Sequence, residues 1–217
     1  MNTTQRILTA LLLVALLGAC AKTAPQSAAT PSSATPSSAA APTSSATATA
    51  PSSTEKPAPV DAAVPGDIPD ATQFVAHRSD AGHFTIKVPE GWAEQSGSSS
   101  VTYTGTTNTI HVTWMPAAAA PTVQSATAQE VPQLQQSERA FHLGKVSAVT
   151  LPAGAAVEIT YKANSAANPV TGKQYLLEVL RYELWKSGTE AVITLSSPAG
   201  ADNVDPWATV AKSFAWL

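Results

Sequence analysis

Leu17-Gly18-Ala19-Cys20 is the stretch whose residue types and order most clearly prescribe a reaction. Small residues just before a cysteine, closing a short apolar run, suit a lipoprotein signal peptidase: the thiol is acylated and the bond in front of it is then cut. Arg6 and the amino terminus supply the positive start, and Ile7 to Leu17 supply eleven largely apolar residues. A membrane-spanning helix needs about 20 such residues, so this run fits a signal peptide and is too short to span. No paired arginines precede it, which points to the general secretory route. The expectation is a signal peptide over residues 1–19, a lipid on Cys20, and a mature chain anchored on the extracytoplasmic face of a cell membrane. Cys20 is the one cysteine of the chain. Once it is acylated, no thiol remains for a disulfide, a nucleophile or a metal.

Elsewhere, chemistry is sparse. His77, His83, His111 and His142 are not paired at the three- or four-residue spacing that puts two metal ligands on one helix face, and His-Glu-x-x-His is absent. His83 and His111 fall on the polar parity of their segments. Asp80 between His77 and His83 reads as a turn aspartate. Serines are abundant, but none lies in Gly-x-Ser-x-Gly, and Ser96 to Ser100 reads as a loop. No glycine-rich phosphate cradle is present. Glu158, Glu178 and Glu183 sit in strand-like segments. They either face Lys or Arg across a sheet or pair as acid and base in a glycosidase-like cleft. No catalytic, cofactor or metal residue is assigned. The aromatic residues remain: an indole joins an apolar face to one donor, which suits a sugar or an acyl chain. Of the five tryptophans, Trp92 and Trp207 read as core. Trp114 and Trp185, near strand ends, together with Tyr161, are the candidate ligand-binding residues.

These residues must be positioned by one domain. From Ala21 to Val60, 35 of 40 residues are Ala, Pro, Ser or Thr. Such a stretch has almost nothing to bury and reads as a disordered tether over residues 20–65, about 120 Å long if fully extended. Ser and Thr beside Pro also offer O-glycan acceptors. Residues 66–217 have the size of a single domain. They carry nine Lys and Arg against thirteen Asp and Glu, which removes the electrostatic footprint of nucleic-acid binding.

The patterning of that domain is mostly period two. Phe84, Ile86 and Val88 alternate with polar residues until Pro89-Glu90-Gly91-Trp92. Phe74 to His77 is the expected hairpin partner, with Gly82 taking positive φ in the turn. Val101 and Tyr103, then Ile110, Val112 and Trp114, then Phe141 to Leu151, then Val157, Ile159 and Tyr161 mark further strands. Tyr175 to Trp185 is apolar on both parities, as a central strand covered on both faces would be, and Ala191 to Leu195 follows a hairpin. Two helices are expected as cover. One is capped by Thr127-Ala128-Gln129-Glu130, with Pro132 limiting its regularity. The other is capped by Asp205 with Pro206 first, and carries Val204, Trp207, Val210 and Phe214 at helical spacing. The fold class is therefore α+β, an antiparallel sheet flanked by helices.

His83-Phe84-Thr85-Ile86-Lys87-Val88-Pro89-Glu90-Gly91-Trp92 resembles the opening of PsbP/Mog1-like domains. Ala191 to Pro198, then Asp205-Pro206-Trp207 to Ser213-Phe214, together with the lipobox and tether, resemble actinobacterial lipoproteins of the LpqN type. The resemblance implies an α/β/α sandwich and a non-enzymatic binding or accessory role. Its fixed points are structural and transfer no activity to a named residue. The resulting expectation is an envelope-anchored lipoprotein that binds an apolar or glycolipid ligand or another envelope protein. The rivals are an exported hydrolase with an unrecognised carboxylate or serine site, and a structural partner of a membrane complex.

Overall fold

The computed structural model describes residues 55–60 and 65–217. Cys20, the signal peptide and most of the expected tether lie outside the described residues.

Alternation produces strands where it was expected. β1 (Phe74–Ser79) and β2 (Phe84–Pro89) pair antiparallel. Phe84, Ile86 and Val88 are buried. The turn between these strands corrects one expectation: the left-handed residue is His83, at φ 53°, and not Gly82. Gly82 is small for a different reason, since a methyl group there would overlap the Phe84 ring. β3 (Ala93–Ser96), β4 (Ser100–Thr104), β5 (Thr109–Pro116), β6 (Arg139–Leu151), β7 (Gly154–Asn164), β8 (Leu176–Lys186) and β9 (Thr189–Pro198) form a seven-stranded antiparallel sheet, ordered β3-β4-β5-β9-β8-β7-β6. β8 is internal, as its doubly apolar pattern requires. β10 (Ala215–Trp216) joins β2, so β1, β2 and β10 form a separate three-stranded sheet.

The two faces of the large sheet are covered differently. Its first face carries Val101, Tyr103, Ile110, Val112, Leu184, Ile193 and Leu195. They pack in one core with Phe84, Ile86 and Val88 of the small sheet and with Trp207, Val210 and Ala211 of helix α3 (Val204–Ser213). Phe214 stacks on Phe84 with ring centroids 5.1 Å apart, and Trp114 meets the Phe84 edge at 5.6 Å. The second face carries Val157, Ile159, Tyr161, Ala163 and Val179, covered by Ala126 and Leu134. Those two belong to a helical run made of α1 (Val123–Ser125), a π turn (Ala126–Glu130) and α2 (Val131–Ser137).

Both helix starts differ from the expected ones. Thr122 caps the first, accepting from the Ser125 amide at 3.0 Å while Ser125 Oγ accepts from the Thr122 amide at 2.9 Å. The reciprocal box is thus Thr-x-x-Ser, one turn before the Thr127–Glu130 spacing. Pro132 explains the π turn preceding it, because a proline has no amide to donate and its ring crowds the carbonyl four residues back. The second helix begins at Asn203 rather than Asp205. Asp205 and Pro206 lie inside its first turn, where amides have no intrahelical partner and a proline loses nothing.

Candidate functional site

Along β7 and β8, three consecutive cross-strand pairs stand on the first face: Glu158 with Tyr182, Thr160 with Leu180, and Lys162 with Glu178. They form the floor of a cleft of about 440 Å³, and its wall is Val204, Trp207 and Ala208 at the start of α3. No residue of β1, β2 or β10 lines it. The sheet outlasts the cover laid over it, and that leaves the groove.

Two local features fix the geometry. The register of β6 against β7 slips between Leu143 and Lys145. There the Lys145 amide donates to Thr160 Oγ1 at 2.9 Å, and Gly144 lies so close that a Cβ would meet the Thr160 carbonyl oxygen at 2.9 Å. At the other wall, buried Asn203 accepts the Ile68 amide at 2.8 Å and donates to the Gly66 carbonyl at 2.8 Å, pinning the helix start against the incoming chain.

The cleft is apolar in the middle and charged at the ends. Leu180, Trp207, Val204 and Ala208 supply hydrocarbon. Val204 is 74 % exposed, a large apolar side chain left without cover at the rim. At one end Lys162 Nζ meets Glu178 Oε1 at 2.9 Å. At the other, burial and then the charge of the neighbouring Glu158 push the Tyr182 hydroxyl above the usual phenol range. One ammonium therefore stands among two carboxylates, a balance that disfavours an anionic guest.

No family model and no curated protein matches the chain. Among solved structures, it is similar to cyanobacterial PsbP (CyanoP) from Synechocystis sp. PCC 6803, at 15 % identity over 72 % of this chain and 99 % of that one, with a TM-score of 0.50. The fold is PsbP-like. The chain is also similar to the Ran-binding protein Mog1p of Saccharomyces cerevisiae, at 12 % identity over 67 % of this chain and 96 % of that one with a TM-score of 0.46. LpqN, involved in cell envelope biogenesis of Mycobacterium tuberculosis, is 18 % identical over 67 % of this chain and 91 % of that one, with a TM-score of 0.41.

On this PsbP-like scaffold the three residues singled out from sequence are not brought together. Trp114 is half-buried on the first face against Phe84. Trp185 stands on the second face and donates its indole N–H to the Ala117 carbonyl at 2.9 Å. Tyr161 borders the cleft, but its ring packs on the second face 5.2 Å from Phe141, with its hydroxyl 3.4 Å from Glu138. The aromatic residues of the cleft are Trp207 and Tyr182. Helical spacing marked Trp207 only as core, and the Trp92 edge does meet it at 6.3 Å. The parity of β8 was the signal for Tyr182 and Leu180.

The titratable groups disperse. His77 Nδ1 lies 3.1 Å from Glu94 Oε2, and His111 Nδ1 lies 2.7 Å from Thr102 Oγ1. Asp80 pairs with Arg78 at 2.6 Å rather than with a histidine. Among the described residues no group of three His, Cys, Asp or Glu is placed to hold a metal. Only Glu178 faces its cation across the sheet. Glu158 faces a tyrosine. Glu183 points to the second face, 1 % exposed, where Arg181 on its own strand donates to it at 3.0 Å and to Glu130 of the π turn at 2.9 Å. Burial raises the Glu183 carboxyl above the usual range despite Arg181.

Proposed function

We propose that this chain is an envelope-anchored, non-enzymatic binding lipoprotein whose cleft between α3 and β7–β8 takes an apolar or glycolipid ligand. Anchoring rests on the lipobox at Cys20; among the described residues, no helix is long and apolar enough to cross a membrane. Binding rests on one observation, the 440 Å³ cleft with a hydrocarbon middle and hydrogen-bonding ends. Acyl chain would lie on Leu180, Trp207, Val204 and Ala208, and hydroxyls would meet the Glu158–Tyr182 and Lys162–Glu178 pairs. The charge balance favours an uncharged head group over a fatty acid or anionic phospholipid. Nothing in the composition supports a nucleic-acid partner.

Geometry weighs against the hydrolase alternative. Glu158 and Glu178 share the cleft, but their strand positions lie four residues apart along the ladder, about 13 Å. Carboxylates that cleave glycosides stand within about 9.5 Å of each other. Glu183 is on the other side of the sheet. Ser197 borders the cleft, where no histidine lines the wall to activate it. An envelope protein as partner has less support, since the exposed apolar residues, Met115, Leu143, Val170 and Val204 among them, are scattered through the fold.

Native mass spectrometry of the chain purified from its own host tests the proposal. The expected result is a co-purifying neutral lipid or glycolipid that Ala208→Trp, which fills the cleft, abolishes. A ligand-free wild type, or a variant that keeps the lipid, overturns it.

A further inference from the structure

Residues 55–58 fall within the stretch whose composition reads as tether, yet they are docked on the starting end of β6 and the finishing end of β7. Between Ala21 and Val60 the sequence holds one acidic residue, Glu55. Its carboxylate accepts from Arg139 Nε at 2.9 Å, Arg139 Nη2 at 3.1 Å, Asn164 Nδ2 at 2.9 Å and Gln174 Nε2 at 3.3 Å. Asn164 is 5 % exposed and directs both ends of its amide at this segment. Its Oδ1 accepts from the Ala58 amide at 2.7 Å, and its Nδ2 also donates to the Lys56 carbonyl at 2.9 Å.

That arrangement is a receptor. A guanidinium fork matches the two oxygens of a carboxylate, a neighbouring amide adds a third direction, and the same amide reads the backbone that follows. Arg139 first, and Asn164 next, hold the Glu55 carboxyl below its usual range. We propose that Arg139, Asn164 and Gln174 form a binding site for a peptide glutamate, filled by Glu55 of the chain itself, which clasps the linker to the sheet. The site's ligand is a carboxylate side chain followed by a backbone carbonyl and amide that meet Asn164, and the occupant is residues 55–58. Asn164 lies two residues beyond Lys162 on β7, about 7 Å along the strand. The clasp therefore brings the linker onto the domain beside the Lys162–Glu178 end of the cleft. It stands whether or not the cleft takes a ligand.

The full chain tests it with a glutamyl endopeptidase. The bond after Glu55 should be protected in the wild type and cut about tenfold faster in Arg139→Gln, while the bond after Glu90, in an exposed turn, keeps its rate. Glu55→Gln, read by hydrogen exchange, separates release of the clasp from loosening of the domain. The Ala58 amide should lose about tenfold in protection, and the Ile159 amide inside β7 should keep its own. Equal cleavage after Glu55 in wild type and Arg139→Gln overturns the proposal, as does a wild-type Ala58 amide that exchanges at the free-peptide rate.

Discussion

One face of the seven-stranded sheet is closed at one end and open at the other. Over β4, β5 and the middle of β9 the first-face residues are apolar and pack with the small sheet: Ile110, Val112, Ile193 and Leu195 are all fully buried in one core with Phe84, Ile86 and Val88. Over β7 and β8 the same face turns polar at Glu158, Thr160, Lys162 and Glu178, and only the start of α3 stands opposite. The change of residue type and the end of the cover coincide. A strand that is to be sealed needs apolar side chains, whereas one left facing a groove can carry charges because water or a guest still solvates them. The difference separates stability from the proposed function: the closed end holds the fold together, and the open end is where the proposed ligand would sit.

The largest test of that division is Phe84→Ala. The ring is fully buried and touches both Trp114 and Phe214, so truncation should cost about 4 kcal/mol in denaturant unfolding. A loss under about 1 kcal/mol would mean that the small sheet is not what seals this end. Next is the second face. Arg181→Met leaves Glu183 buried without its cation and releases Glu130 from the π turn. The expected loss is about 3 kcal/mol, read the same way.

Glu183 also gives a pH test, smaller in size. Its carboxyl is raised by burial above the ordinary 4.5, so the folded state favours the protonated form. Stability from this group is present below the unfolded pKa and is lost as pH rises through the raised folded value. Urea midpoints measured from acid to neutral pH should fall less steeply for Glu183→Gln than for the wild type. Glu138 and Glu190, also raised by burial, keep part of the slope. Glu55 works in the opposite sense, since its lowered carboxyl gives stability that disappears on acidification.

Period-two alternation made the strands and the internal place of β8 legible in the sequence, because a strand's two faces show directly in residue parity. That Glu178 faces a cation across the sheet was expected from the same parity, but which cation, Lys162, is set by a register that parity leaves open. The cleft was not legible. It depends on where α3 crosses the sheet, a tertiary fact with no local signature, and the aromatic residues chosen from strand ends, Trp114 and Trp185, ended on opposite faces. The helix starts shifted by five residues at Thr122 and by two at Asn203, because a Thr-x-x-Ser box closes the first and the Asn203 side chain is tied to Gly66 and Ile68 rather than to the helix. Glu55 was read with its surroundings as tether: composition averages over forty residues, and one carboxylate among them does not register until Arg139 and Asn164 are placed beside it.

The smallest change in stability should come from the open end. Ala208 lines the cleft from α3 and is only half-buried, so Ala208→Trp projects an indole into empty space rather than into packed atoms. Overpacking at the closed end would cost about 1–3 kcal/mol, whereas here the unfolding free energy should stay within about 0.5 kcal/mol of the wild type. A substitution that leaves the fold intact and removes the bound lipid separates the two ends of the face. If it instead destabilises the domain as a core insertion would, the groove closes in solution, and the contrast between a sealed end and an open one no longer holds.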